Sequence, residues 1–271
     1  MKKLEECIII GGKSAGENVL GKARDRNYKP NLTIVRDLIG DVEIVYMHDK
    51  DTDYMEGMNS HGIGIVNSAL LVGDDEDAIK GLKTSMDGRK MRRALQQTKL
   101  SDAIKSLVGY GGGIRGHTLA ANSKNLYHIE MTSKHNPLVK KLKGGNEDLH
   151  VMTNHGIGHP HAGYQPETHP DDHLSSKIRK ATAETILADV ESDHEAIMPS
   201  LAAQAFEPDS NFNVLRRTNK MNTNSQLMMH LETLEFFLYI FPEQCNFRGL
   251  DDRTPEGYSP KITIKLFNYK E

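Results

Sequence analysis

Cysteine is scarce in this chain. Its 271 residues hold only Cys7 and Cys245, too few to build a disulfide framework or to suggest a zinc site. A reducing compartment and a free Cys7 thiol are the corresponding expectation. Long apolar runs are also lacking: no stretch approaches the roughly 20 residues of a membrane span. The opening Met1-Lys2-Lys3-Leu4-Glu5-Glu6 carries two lysines, but its apolar part is short and interrupted by acids. No signal peptide is therefore expected, and a cytoplasmic location is. Excess charge of one sign is missing as well. The 34 basic and 37 acidic residues leave a net charge of −3, so no strong field points to nucleic acid or to an anionic membrane. Finally, no repeat, low-complexity tract or Pro/Ser-rich linker divides the chain. A hydrophobic content of 37% over this length is enough for one well-buried domain.

What is there reads as alternating blocks of strand and helix. The first block predicts strands at 7–10, 18–26, 32–39, 43–48 and 63–67, with a turn at Gly57-Met58-Asn59-Ser60-His61-Gly62. Between Asp74 and Leu107 the apolar period becomes helical, with Asp75 and Ser101 as caps. Strands follow at 117–121, 126–131, 138–142 and 150–153, then helices at 175–190 and 194–206. Strands at 226–231 and 234–240 form a hairpin, and 261–267 closes the chain. This order argues for a layered α+β domain rather than a parallel doubly wound sheet.

Cys7 heads the apolar run Cys7-Ile8-Ile9-Ile10. An arginine-rich stretch, Ala23-Arg24-Asp25-Arg26-Asn27-Tyr28, falls on the next strand. A thiol in that setting suggests a nucleophile exposed by removal of six residues. A freed Cys7 would carry a thiol and an α-amine together, and the amine's reference pKa of about 7.7–8.0 suits a base. The plainer alternative is a small buried hydrophobe.

Three further segments complete a pattern. They are Glu56-Gly57-Met58-Asn59-Ser60-His61-Gly62-Ile63-Gly64-Ile65-Val66-Asn67, Val151-Met152-Thr153-Asn154-His155, and Arg216-Arg217-Thr218 ahead of Asn224-Ser225-Gln226-Leu227-Met228. Together with Cys7 and 23–28, and with the hairpin-like 116–132, they resemble the N-terminal-nucleophile (Ntn) amide hydrolases of the choloylglycine hydrolase and penicillin acyltransferase superfamily. The resemblance spans residues 7 to about 240.

It implies an αββα sandwich of two stacked antiparallel sheets flanked by helices, formed by residues 7–271 after self-cleavage of a leader, residues 1–6, at Glu6–Cys7. It also implies hydrolysis of a linear amide in a small acylated molecule through a Cys7 thioester, without a cofactor or a metal. Arg24 would favour the thiolate. Asn67 and Asn154 would donate to the oxyanion. Arg217, or its neighbour Arg216, would complete the positive surround. Met58 and His155 are expected to border the substrate. The family's amine-holding Asp aligns with Asn27, and Asp25 stands where the family has Asn, so either is a candidate for that role. An acyltransferase, a silent scaffold of the same fold, and a peptidase pairing Cys7 with His155 are the alternatives. A homo-oligomer is compatible with the family; nucleic acid and membrane partners are not expected.

The remaining features read as structural. The loop with His155, His159, His161, His169 and His173 reads as polar rather than zinc-binding. Gly109–Gly116 lacks the Gly-Lys-Ser/Thr ending of a phosphate loop. Lys134–Lys143 reads as a solvated edge strand. Met228-Met229 and Phe236-Phe237 read as core.

Overall fold

The computed structural model describes residues 5–70, 85–109, 114–132, 136–142, 149–190, 194–202, 206–207 and 209–269. The predicted cap Asp75 and the triple glycine 111–113 lie outside them.

The strands are β1 (Glu5–Ser14), β2 (Glu17–Arg26), β3 (Asn31–Ile39), β4 (Val42–Asp49), β5 (Tyr54–Asn59), β6 (Gly64–Ser68), β7 (Gly116–Ala121), β8 (Leu126–Met131), β9 (Leu138–Leu142), β10 (Leu149–Met152), β11 (Asn222–His230), β12 (Glu235–Ile240), β13 (Asn246–Asp252) and β14 (Thr263–Asn268). The helices are α1 (Ser85–Leu95), α2 (Leu100–Val108), α3 (Pro170–Asp189) and α4 (His194–Ala202). One sheet has the order β10-β1-β2-β11-β12-β14, and the other β13-β3-β4-β5-β6-β7-β8-β9.

Strand alternation builds four layers from these pieces. Ile9 and Leu20 face the second sheet, where Ile34, Val45, Met58 and Leu119 complete an inter-sheet core. Ile8 and Ile10 face the other way and pack under α3 and α4 with Ala183, Leu187, Ile197 and Met198. On the second sheet's outer face, Ile44, Tyr46 and Ile65 meet Met91, Leu95 and Leu107 of α1 and α2. The methionine–phenylalanine hairpin divides in the same way: Met229 and Phe236 lie between the sheets, Met228 and Phe237 under the helices.

The expectation of two antiparallel sheets is corrected at their edges. β14 runs parallel to β12, and β13 parallel to β3. β13 was not foreseen because its side chains alternate between exposed and half-buried, leaving no apolar pattern to read. β5 extends through Gly57-Met58-Asn59, so the turn begins only at Ser60. Asn59 makes that turn: its Oδ1 accepts from the His61 and Ile63 N–H groups (3.0 Å each), and Gly62 takes φ +71°. Helix α3 starts at Pro170 rather than at residue 175. Proline at the first position and Asp171 and Asp172 in the first turn are ordinary helix-start chemistry. Among the described residues no helix is long and apolar enough to cross a membrane.

Candidate active site

β1 and β2 pair with Cys7 opposite Arg24 and Glu6 opposite Asp25. Opposed residues share a face, so this register sorts the polar side chains into two buried layers.

The inner layer lies between the sheets. Lys22, Arg24 and Arg26 alternate down β2, each no more than 2% exposed. Arg24 Nη1 meets Asp49 Oδ2 at 2.7 Å and its Nη2 meets Glu56 Oε2 at 2.8 Å; Lys22 also pairs with Glu56. Arg26 Nε lies 3.3 Å from Glu5 Oε1. Three cations thus face three carboxylates. Burial opposes ionisation of Glu56, but Arg24 and Lys22 outweigh it and hold its carboxyl below the usual range.

Cys7 Sγ enters this layer between Arg24, its partner across the strand pair, and Arg26, which reaches the sulfur. Arg26 Nη1 lies 3.7 Å from Sγ, 3.4 Å from Glu6 O and 2.7 Å from Asp25 O. A cavity of about 10 Å³, room for about one water, joins Cys7 to Lys22, Arg26, Tyr54, Asn67, Asp87 and Arg115. Asn67 is therefore at the thiol's cavity, with Nδ2 donating to Thr118 Oγ1 (2.8 Å) and Arg115 O (3.3 Å).

The outer layer lies under α3. The Glu6 carboxylate takes Arg179 Nη2 (3.0 Å), Arg216 Nη2 (2.8 Å) and the Tyr164 hydroxyl (2.8 Å). Asp25 Oδ2 takes Arg179 Nη1 (2.8 Å) and Arg216 Nη2 (2.9 Å). Its Oδ1 accepts from Thr223 Oγ1 at 2.6 Å. A bulge in β11 between Thr223 and Ser225 explains this last bond: it turns Thr223 to the outer face while Ser225 stays inside. Burial opposes the charge on Glu6, yet Arg216, Arg179 and the Tyr164 bond hold its carboxyl below the ordinary range.

Asn154 joins the layers. Its Oδ1 accepts from the Cys7 N–H (3.3 Å) and from Arg179 Nη2 (3.0 Å). Its Nδ2 donates to Ala69 O (2.8 Å) and Ser68 Oγ (3.3 Å). Ser68 Oγ also reaches Cys7 O (3.2 Å) and Thr153 O (3.0 Å).

The structure thus gathers Cys7, Arg24, Asp25, Asn67 and Asn154 in one place, and separates others. Arg217 lies outside the cage with its guanidinium 5.5 Å from the Phe241 ring centre; Arg216 occupies the cage instead. Asn27 is half-buried just past the end of β2. Met58 is in the inter-sheet core. His155 Nδ1 contacts Thr153 Oγ1 (3.1 Å) and Ser176 Oγ (3.0 Å), and burial, reinforced by His173, lowers its pKa to about 4. Of the other loop histidines, His159 contacts Asn136 O and His173 contacts Tyr164 O.

Glu6, Arg26, Tyr164 and Arg179 were not foreseen. A legible signal existed for Arg179. The buried stripe of α3 runs Ser175, Ser176, Arg179, Ala183, Leu187, so an arginine stands where the spacing calls for an apolar residue.

Asp87 adds a titratable group to the cavity. Burial pushes its carboxyl up to about 6, against the pull of Lys90 and Arg115. Its folded pKa exceeds the ordinary 3.8, so the folded state holds this proton more tightly. The resulting stabilisation is full below about pH 4 and is lost as pH rises through 6. Asp87→Asn is expected to raise stability at pH 8 by up to roughly 3 kcal/mol, at 1.36 kcal/mol per unit, and to change little at pH 4. Urea unfolding at the two pH values checks it; equal effects at both would refute it.

Two stacked mixed sheets with helices outside make this an αββα sandwich, the fold seen in Ntn hydrolases. Two solved structures share it. One is a mutant of the conjugated bile acid hydrolase from Clostridium perfringens, at TM-score 0.51 and 11% identity, covering 87% of this chain and 89% of that one. The other is the Caenorhabditis elegans ortholog of N-acylethanolamine-hydrolyzing acid amidase, at TM-score 0.55 and 15% identity, covering 83% and 93%. No protein-family model and no curated protein sequence matches the chain.

Proposed function

We propose that this protein is a cysteine amidohydrolase that cleaves itself at Glu6–Cys7 and then hydrolyses linear amides of small acylated molecules. The observation that carries the reading is Arg26 Nη1, set 3.7 Å from Cys7 Sγ and 3.4 Å from the Glu6 carbonyl oxygen. A donor there stands beside both the attacking sulfur and the oxygen on which negative charge would develop. The two similar solved structures are, by name, a hydrolase and an amidase, which supports amide chemistry on this fold.

Self-cleavage starts with Sγ attacking the Glu6 carbonyl carbon. The carbon–nitrogen bond breaks as the carbon–sulfur bond forms, and the thiol proton goes to the Cys7 nitrogen. Water then hydrolyses the thioester, releasing residues 1–6 with a new carboxylate at Glu6 and restoring the thiol. Catalysis on a substrate repeats this sequence. The Cys7 α-amine takes the thiol proton and returns it to the departing amine.

Loss of the leader changes the charge balance on both sides of β1. It removes Glu5 from the inner layer and Glu6 from the outer one. Three cations then face two carboxylates near Sγ, and Arg179 and Arg216 face Asp25 alone. The new amine forms at Asn154 Oδ1, an acceptor it shares with Arg179. That positive surround disfavours the ammonium form and keeps the amine a base near neutral pH. Asn154 acts as the amine's acceptor in this scheme, while Arg26 serves the oxygen and Asn67 lines the same cavity. An acyltransferase would use the same steps with an amine replacing water.

Intact-mass analysis tests the proposal. Purified wild type is expected to lack residues 1–6 and to begin at Cys7. A stable full-length chain that hydrolyses amides would overturn it.

A further inference from the structure

A second cluster of reactive side chains lies on β7 and β8, apart from the Cys7 thiol. His117 opposes Glu130 in the β7–β8 register, and His128 lies two residues from Glu130 on the same face. All three are buried. His117 Nδ1 is 2.9 Å from His128 Nε2 and 4.0 Å from Glu130 Oε2, and the three ligand atoms all lie within 4.8 Å of one another.

The groups around them are those that metal ligands use. His117 Nε2 donates to His155 O at 2.8 Å. This leaves the Nδ1 lone pair aimed at His128 and Glu130. Histidines that bind metals nearly always donate their other N–H to a carbonyl or carboxylate in this way. The Glu130 carboxylate is held as firmly. Oε1 accepts from the Ile157 and His159 N–H groups (3.0 Å each), and Oε2 from Gly158 (2.6 Å). Gly158 permits that approach, since a Cβ there would lie 2.6 Å from the Leu138 side chain and 3.1 Å from Glu130 Oε2.

The cluster also has an entrance. His128 and Glu130 line a cleft of about 720 Å³ shared with His150, His155, Lys177 and Lys180. His150 Nε2 is buried and has no hydrogen-bond partner among the described residues. Water entering from the cleft would supply the fourth donor.

We propose that His117, His128 and Glu130 form a binding site for a divalent transition metal of the zinc type, with its open position toward the cleft. Two imidazoles and one carboxylate are a ligand set that zinc takes with a fourth position left free. Binding replaces the proton between His117 and His128 with the ion. The metal ties β7 and β8 to residues 155–159, next to Asn154, so its effect reaches the candidate active site through that segment. The site does not depend on Cys7 being a nucleophile.

The test is titration of the chelator-treated full chain with Co²⁺ and then Zn²⁺, followed by calorimetry and visible absorption. The expected result is one ion per chain, visible Co²⁺ bands of nitrogen–oxygen type, and their loss when Zn²⁺ displaces cobalt. Cys7→Ala should bind as wild type does, since no thiolate takes part. His128→Gln should weaken binding by at least about 10–100-fold, the loss seen even when partners outside the ligand set are removed. Glu130→Gln, which keeps an acceptor for the 157–159 amides, should do the same and covers the case in which His128→Gln does not fold. Absence of saturable binding would overturn the site. So would full affinity in folded His128→Gln or Glu130→Gln, because the ion would then be on other histidines.

Discussion

Cys7→Ala is expected to retain residues 1–6 and to lose amide hydrolysis by on the order of 10⁶-fold, the scale of loss when a nucleophile is removed from a working constellation. The thiol acts twice in the proposed chemistry, first on the Glu6 carbonyl and then on the substrate. One substitution therefore removes both activities, and the alanine is small enough to fit where Cys7 is 2% exposed. Cys7→Ser should cleave its leader slowly, because a hydroxyl is the weaker nucleophile. His155→Ala separates this mechanism from a cysteine–histidine pair. His155 Nδ1 is directed to Thr153 and Ser176, so its loss should leave amide hydrolysis by the mature chain within about tenfold of wild type, well short of the 10²–10⁴ carried by a general base. Complete loss of amide hydrolysis in His155→Ala that has shed its leader, with the fold intact by circular dichroism, would mean that the α-amine is not the base.

The second large effect is expected from the outer cage. Arg179 and Arg216 are at most 3% exposed and share two carboxylates, Glu6 and Asp25. Removing one member of a buried ion cluster leaves charge without compensation and typically costs about 3–5 kcal/mol. Asp25→Asn should cost this much before and after cleavage, because Asp25 remains in both forms. Glu6→Gln should cost it only in uncleaved protein, such as a Cys7→Ala background, since the mature chain has no Glu6. At roughly 2–4 °C per kcal/mol for a chain of this size, the losses correspond to melting points lower by about 6–20 °C. Scanning calorimetry of the four proteins reads the pattern directly. A Glu6→Gln penalty persisting in the wild-type background would show that the leader is never removed.

Legibility in the sequence followed local pattern. The strands of the first block were readable because their apolar residues alternate or run together, as in Leu32-Thr33-Ile34-Val35. β13 escaped because an exposed edge strand needs no apolar face. Cys7, Arg24, Asp25, Asn67 and Asn154 were singled out by the resemblance of short motifs, and the fold brings all five together. Arg216 and Arg217 could not be told apart, because adjacent residues differ only in the face they present. The 217–222 bridge and the β11 bulge decide that Arg216 turns inward. Glu6 gave no signal, since a carboxylate in a short charged opening reads as solvated until its cage is seen.

The sequence by itself determined the period of its strands and helices, the pairing distance that puts an arginine-rich strand beside Cys7, and the chemistry its motifs resemble. These depend on neighbours along the chain and on hydrogen-bond geometry that repeats every two or every 3.6 residues. Only the tertiary structure decided which arginine touches the thiol, which one enters the cage, and that His117, His128 and Glu130 converge. Those outcomes depend on sheet register, one bulge and the docking of α3, where a shift of a single residue sends each side chain to the opposite face.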